Sequence, residues 1–148
     1  MKRFVQMLLL ASFALSAQFA IAQKPEDAIK YRQGVFAVIG WNFGSMAAMV
    51  KGEKEWDQET FARNSEIVAF MSKLPAEGFI PGSDRGDTKA KPEIWQNLDD
   101  FRSKLEKMQA EVAKLADVSK GGDARAMRAQ LSEAGKACKA CHDEYRAK

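Results

Sequence analysis

The 148 residues read as an all-α chain whose natural architecture is an antiparallel four-helix bundle. Three observations carry that reading. Apolar residues recur with the helical period in four separate segments. After the N-terminus no stretch alternates apolar and polar residues as a strand would. Gly, Pro and Asp collect in the breaks between segments.

The first 22 residues stand apart from the bundle. Lys2 and Arg3 precede an apolar run from Phe4, and Ala20-Ile21-Ala22 supplies small residues before Gln23. This is the pattern of a cleaved secretory signal peptide; the other reading, an uncleaved anchor, is opposed by Gln6, Ser12, Ser16 and Gln18, which interrupt the run. The mature chain, residues 23–148, is then expected in the periplasm, an oxidising compartment, as one domain of about 125 residues. Losing Lys2 and Arg3 takes two from the 23 basic residues, against 20 acidic ones, and no basic block remains. Nucleic acid is therefore not expected as a partner. No second apolar stretch approaches the roughly 18 residues of a membrane span.

The first helical segment opens with Pro25, Glu26 and Asp27, which suit a first turn. It carries Ile29, Phe36, Phe43 and Val50 at heptad spacing, with Ile39 and Met46 between. The second runs from about Asp57 to Lys73, with Phe61, Val68, Met71 and Leu74, and stops at Pro75. The stretch PAEGFIPGSDRGDTKAKP is too long for a simple helix connection and reads as a crossover or a cover. After Pro92 a third segment places Ile94, Leu98, Phe101, Leu105, Met108, Val112 and Leu115 on one seam and ends near SKGGD. The fourth starts at Asp123, with Met127, Leu131, Ala134, Cys138, Cys141 and Tyr145 on one face.

That last face holds the chemistry. Cys138, Cys141 and His142, in GKACKACHDEYRAK, are the only cysteines and the only histidine of the chain. A redox dithiol of the thioredoxin type belongs after a strand, and none is expected here. A zinc corner lacks its fourth ligand, with Asp143 or Glu144 as weak substitutes. A disulfide closing so small a loop within a helix would be strained. C-x-x-C-H is the attachment pattern of haem c, in which two thiols add to two vinyl groups and the adjacent imidazole faces the iron.

The motif lies six residues from the C-terminus. With KPEDAIKYRQ, KPEIW and GKACKACHDEYR, the chain from Lys24 to Lys148 resembles the cytochromes c′, the class II c-type cytochromes. That family is itself a standard example of the up-down-up-down four-helix bundle, so the expected fold has two sources. The resemblance implies one covalent haem c on Cys138 and Cys141, with His142 as axial ligand.

Arg32 sits where a bundle seam prefers leucine, so it either snorkels to the surface or meets a buried anion. The resemblance favours a haem propionate as that anion, with Gln33 beside it. It also places Asp87 and Thr88 at the haem edge, Phe79 packed nearby, and Arg146 beside the proximal ligand. In low-spin relatives a methionine of the first helix binds the iron; the matching position here is Phe36, which cannot ligate and would instead cover the open face. Met46 and Met49 lie more than two turns along and read as core or interface filler. Gly40 and Gly44 suggest close approach of a helix or of the haem plane.

The expected function is gas binding at five-coordinate iron, with nitric oxide and carbon monoxide as ligands, and electron exchange with a redox partner protein. It is not expected to be an enzyme. The alternative is a low-spin electron carrier. The family also implies a homodimer through the first two helices, with Trp41, Met49 and Trp56 as contributors.

Overall fold

A computed structural model describes residues 23–148, so the expected signal peptide lies outside the described residues. Five α-helices follow in order: α1 (Pro25–Lys51), α2 (Gln58–Met71), the short α3 (Glu93–Gln96), α4 (Leu98–Lys120) and α5 (Ala124–Tyr145). The four long helices form the bundle, and α1 packs on α2, α2 on α4 and α4 on α5. Among the described residues the β-structure is one isolated antiparallel bridge, Ala90 with Arg146.

Local chemistry sets the helix ends. Pro25 needs no amide partner in the first turn of α1, and Glu26 and Asp27 complement its positive end. Gly52, at φ 76°, takes the left-handed position that closes the helix. Asp57 and Asp123 cap α2 and α5, each accepting two backbone N–H bonds. The third segment is not continuous as expected. Asn97 (φ −130°, ψ 49°) breaks it after one turn, so α3 turns aside and α4 begins at Leu98.

The main core gathers Val35, Ile39, Met46, Met49, Phe61, Val68, Leu105, Met108, Val112, Leu115, Met127, Leu131 and Ala134. Leu115→Ala, at a fully buried site, would cost about 2–5 kcal/mol. A second cluster of Ile94, Phe101 and Tyr145, with Phe79, Trp95 and Cys141 against it, lies at the end of the bundle where α5 finishes.

The buried stripe of α1 departs from the expected heptad. It runs through Ala28, Ile29, Arg32, Val35, Ile39, Asn42, Met46 and Met49. Phe36 is 36% exposed, and Phe43 and Val50 are half-buried at the margin. A straight helix drifts about 20° per heptad, so residues seven apart leave a fixed seam. Met49 and Trp56 are also poor interface residues, because Met49 is core and Trp56 is packed on Phe61 and under the Arg128 guanidinium. By length and composition α1 could cross a membrane, contrary to the expectation that no second apolar stretch would; its buried stripe packs in the bundle and includes the charged Arg32, while Phe36, Val38 and Trp41 stay exposed.

The fourth side of the bundle is the exception to close packing. Contacts between α1 and α5 are sparse. Arg128 on α5 donates to the Val50 carbonyl at 3.0 Å, and a Cβ on Gly135 would stand 3.7 Å from Phe43 Cζ. The sparse contacts, with open space before Gly40 and Gly44, leave a groove between this flank of α1 and the C-terminal half of α5.

A candidate haem-attachment groove

Phe36, Gly40 and Phe43 follow steps of four and three, so they share one flank of α1, and Phe43 shows that this flank faces α5. Apart from the helix's own adjoining backbone, no described atom lies within 4 Å of a Cβ built on Gly40 or Gly44. The close approach of another helix expected there is therefore absent, and the space before them is open.

On the opposite wall, Cys138 packs against the main core and Cys141 against the second cluster. Both thiols are free and half-buried. Burial raises the pKa of each, that of Cys141 to about 11. Neutral thiols are the opposite of what a nucleophilic dithiol needs. Among the described residues no group of three or more His, Cys, Asp or Glu could hold a metal ion, so a zinc corner is not assembled. His142 is exposed at the groove side of α5, seven residues and two turns after Gly135. Its pKa is lowered, first by partial burial and then by the nearby Arg146 guanidinium.

The segment from Gly78 to Pro92 straps the end of the groove. On the α1 side Arg32 holds it: Nη1 donates to Gly78 O and Ser83 Oγ, both at 2.7 Å, and Nη2 donates to Ser83 O at 2.6 Å and Thr88 Oγ1 at 2.7 Å. Gln33 Nε2 donates to the Asp87 carbonyl at 2.7 Å. On the α5 side, Lys91 N donates to Tyr145 O at 3.0 Å and Ala147 N to Lys89 O at 2.8 Å. The strap comes so close to α1 that a Cβ on Gly78 would meet Arg32 Cβ at 2.8 Å and Ala28 O at 2.9 Å. Only glycine fits there.

The structure thus brings together Arg32, Gln33, Phe79, Asp87 and Thr88 as one cluster, with the Arg32 guanidinium 4.7 Å from the Phe79 ring centroid. Arg32 does not snorkel: it is 2% exposed. Burial lowers its pKa, and every acceptor it reaches is a neutral carbonyl or hydroxyl. Among the described residues no carboxylate pairs with it. A buried cation without an anion fits a group that brings its own carboxylates. A planar, apolar group with two acidic arms and two thiol-reactive carbons matches the open groove, the paired thiols and Arg32.

Sequence reasoning missed Ser83 and Trp95, whose indole N–H donates to Ile80 O and whose ring lies 5.8 Å from Arg32. It also missed the pairing of Tyr145 with Asp100. Ser83, wholly buried, sits in a run of loop-forming residues and has no periodicity to mark it.

The comparisons with known proteins bear on the fold and the family. The family described as Cytochrome C' matches residues 27–146. Cytochrome c' of Rubrivivax gelatinosus is 42% identical over 127 residues, covering 85% of this chain and 98% of the relative. Among solved structures, cytochrome c prime from Shewanella frigidimarina superposes with a TM-score of 0.83 at 45% identity, over 85% of this chain and 98% of that one. A nitric oxide complex of a mutant cytochrome c prime from Alcaligenes xylosoxidans gives 0.78 at 39% identity, over 84% and 98%.

Proposed function

The chain belongs to the cytochrome c′ family of haem-binding c-type cytochromes, and from that premise we propose that its iron is five-coordinate, held by His142, and open to nitric oxide and carbon monoxide. The cofactor is haem c, attached through Cys138 and Cys141. Bound there, haem supplies an iron that takes up diatomic gases and exchanges single electrons.

The residues of the chain divide the remaining work. Cys138 and Cys141, one turn apart on a rigid helix, set the position of the group along α5. His142 offers the chain's one imidazole. Arg32 places a permanent positive charge at the acidic edge. Four of its five N–H donors already hold the strap, so Nε–H is the one left to meet a propionate, beside Gln33. Asp87, Thr88 and Phe79 shape that edge. Arg146 stands near His142.

One observation carries the five-coordinate reading: α1 offers the groove Phe36 and Gly40, while its two sulfur ligands are out of reach. Met46 and Met49 are 0% and 2% exposed within the main core. Bringing either to the groove would require unwinding α1.

The supporting precedent for gas binding is the nitric oxide complex of the Alcaligenes relative. Electron exchange with a redox partner, export to the periplasm and the absence of turnover of any organic substrate complete the reading. A homodimer through α1 and α2 suits the apolar surface of Val38, Trp41 and Phe70, where Trp41 is 82% exposed. An optical spectrum of the ferrous protein tests the central point. A high-spin spectrum that changes on adding nitric oxide is expected, whereas a sharp α band before any ligand is added would mark a six-coordinate electron carrier and end the proposal.

A further inference from the structure

His142 lies three residues from the end of α5, in the turn where a helix normally frays. The carbonyls of such a turn lack partners within the helix. Here they are supplied from outside: the Tyr145 carbonyl accepts from Lys91 N, and the Glu144 carbonyl accepts from Lys91 Nζ at 2.8 Å. Arg146 then leaves the helix in an extended conformation (φ −116°, ψ 128°) and forms the bridge with Ala90. The chain can go no further as a helix, so Arg146 stays near His142.

The side chain of Tyr145 closes the arrangement. It is 3% exposed, its ring stands edge-on to Phe101 with centroids 5.4 Å apart, and its hydroxyl donates to Asp100 Oδ2 on α4 at 2.5 Å. Lys104 ties the same carboxylate to Glu144, with Nζ 3.0 Å from Asp100 Oδ2 and 3.2 Å from Glu144 Oε2. The last turn of α5 is therefore held by α4 on one side and by the strap on the other.

We propose that Tyr145 and Asp100 are positioning residues, whose hydroxyl–carboxylate bond fixes the final turn of α5 so that His142 and Arg146 meet the groove in one set relation. The inference rests on the reading of His142 as the axial ligand. A side chain whose backbone is already immobile pays its ordering cost on folding, and an outer partner that orients a ligand tunes its bond to the metal. Tyr145 does this through α4.

The test uses the haem-loaded protein with four changes: Tyr145→Phe, which keeps the ring; Asp100→Ala; the two together; and Asp100→Asn, which keeps an acceptor. The readouts are the iron–imidazole stretching band of the ferrous protein by resonance Raman and the exchange rates of the Arg146 and Ala147 amides. Tyr145→Phe and Asp100→Ala should shift the band in the same direction, Asp100→Ala by at least as much because it also releases Lys104. Both should speed amide exchange roughly ten- to hundredfold, the scale of one charge-assisted hydrogen bond. The double variant should add nothing to Asp100→Ala, and Asp100→Asn, which keeps an acceptor without its charge, should fall between the parent and Asp100→Ala. A band that stays put in both single variants, even with a lower Tm, would reduce the pair to a structural contact, and additive shifts in the double variant would show that the two residues act separately. A parent protein with no covalently attached haem on a denaturing gel would instead overturn the reading of His142.

Discussion

Arg32→Leu is the substitution on which sequence and structure disagree most, because a leucine suits a bundle seam while the structure gives this side chain four bonds to the strap. Removing them leaves the Gly78 and Ser83 carbonyls without their guanidinium donor; Ser83 Oγ reaches Gly78 O only weakly, at 3.4 Å. Each buried carbonyl left unpaired costs about 1–3 kcal/mol. Leucine recovers part of this through about 1.5–3 kcal/mol of apolar burial, and the variant no longer has to keep a charge out of water. Two such carbonyls against that recovery leave a net loss of about 0.5–3 kcal/mol. For a domain of this size that lowers Tm by roughly 2–12 °C. Loss should concentrate in the strap, so amide exchange at Ala90, whose N–H bonds Thr88 Oγ1, should quicken more than that of the core helices. Urea denaturation and exchange measured on the same sample decide the matter. Stability within about 0.5 kcal/mol of the parent, with Ala90 as protected as before, would show that the guanidinium does not hold the strap.

Replacing Cys138 or Cys141 with alanine should leave haem on one thioether or release it; a double replacement that still carries haem through denaturing electrophoresis would end the attachment reading. Phe36→Ala should speed carbon monoxide binding by removing bulk from the open face, and Phe36→Met should supply a thioether and turn the iron low-spin. Unchanged carbon monoxide rates together with a high-spin Phe36→Met spectrum would place residue 36 away from the iron. In alkali, Tyr145 should weaken the fold. Burial, then the bond to Asp100, pushes its pKa up to about 12, so the neutral donor stabilises the folded state fully below the unfolded value of about 10. That contribution is lost as pH rises through the folded value, and denaturation curves of Tyr145→Phe should lack this alkaline component.

Much of the fold is legible in the residues alone. The seam of α4 and the face of α5 come through in order, since each packs along its length against a neighbour and has a narrow apolar stripe. The register of α1 does not. Its apolar residues occupy two flanks, one turned to the core and one, with Phe36 and Phe43, turned to the groove, and a heptad count merges the two. The break at Asn97 is equally hidden, because apolar spacing continues through it and only tertiary packing draws α3 away.

The chemistry was fixed in five consecutive residues: two thiols and an imidazole at one helical spacing leave few uses open, whatever surrounds them. Their local geometry is set by the helix itself, which is why the sequence suffices. What surrounds them is a matter of pairs far apart in the chain. Arg32 with Gly78, Ser83 and Thr88, Lys89 with Ala147, and Tyr145 with Asp100 are each separated by 45 residues or more. No local preference encodes such contacts. They arise when the bundle brings one end of α1, the strap and the end of α5 to the same place, and there a buried charge must find acceptors and a fraying helix end must find donors.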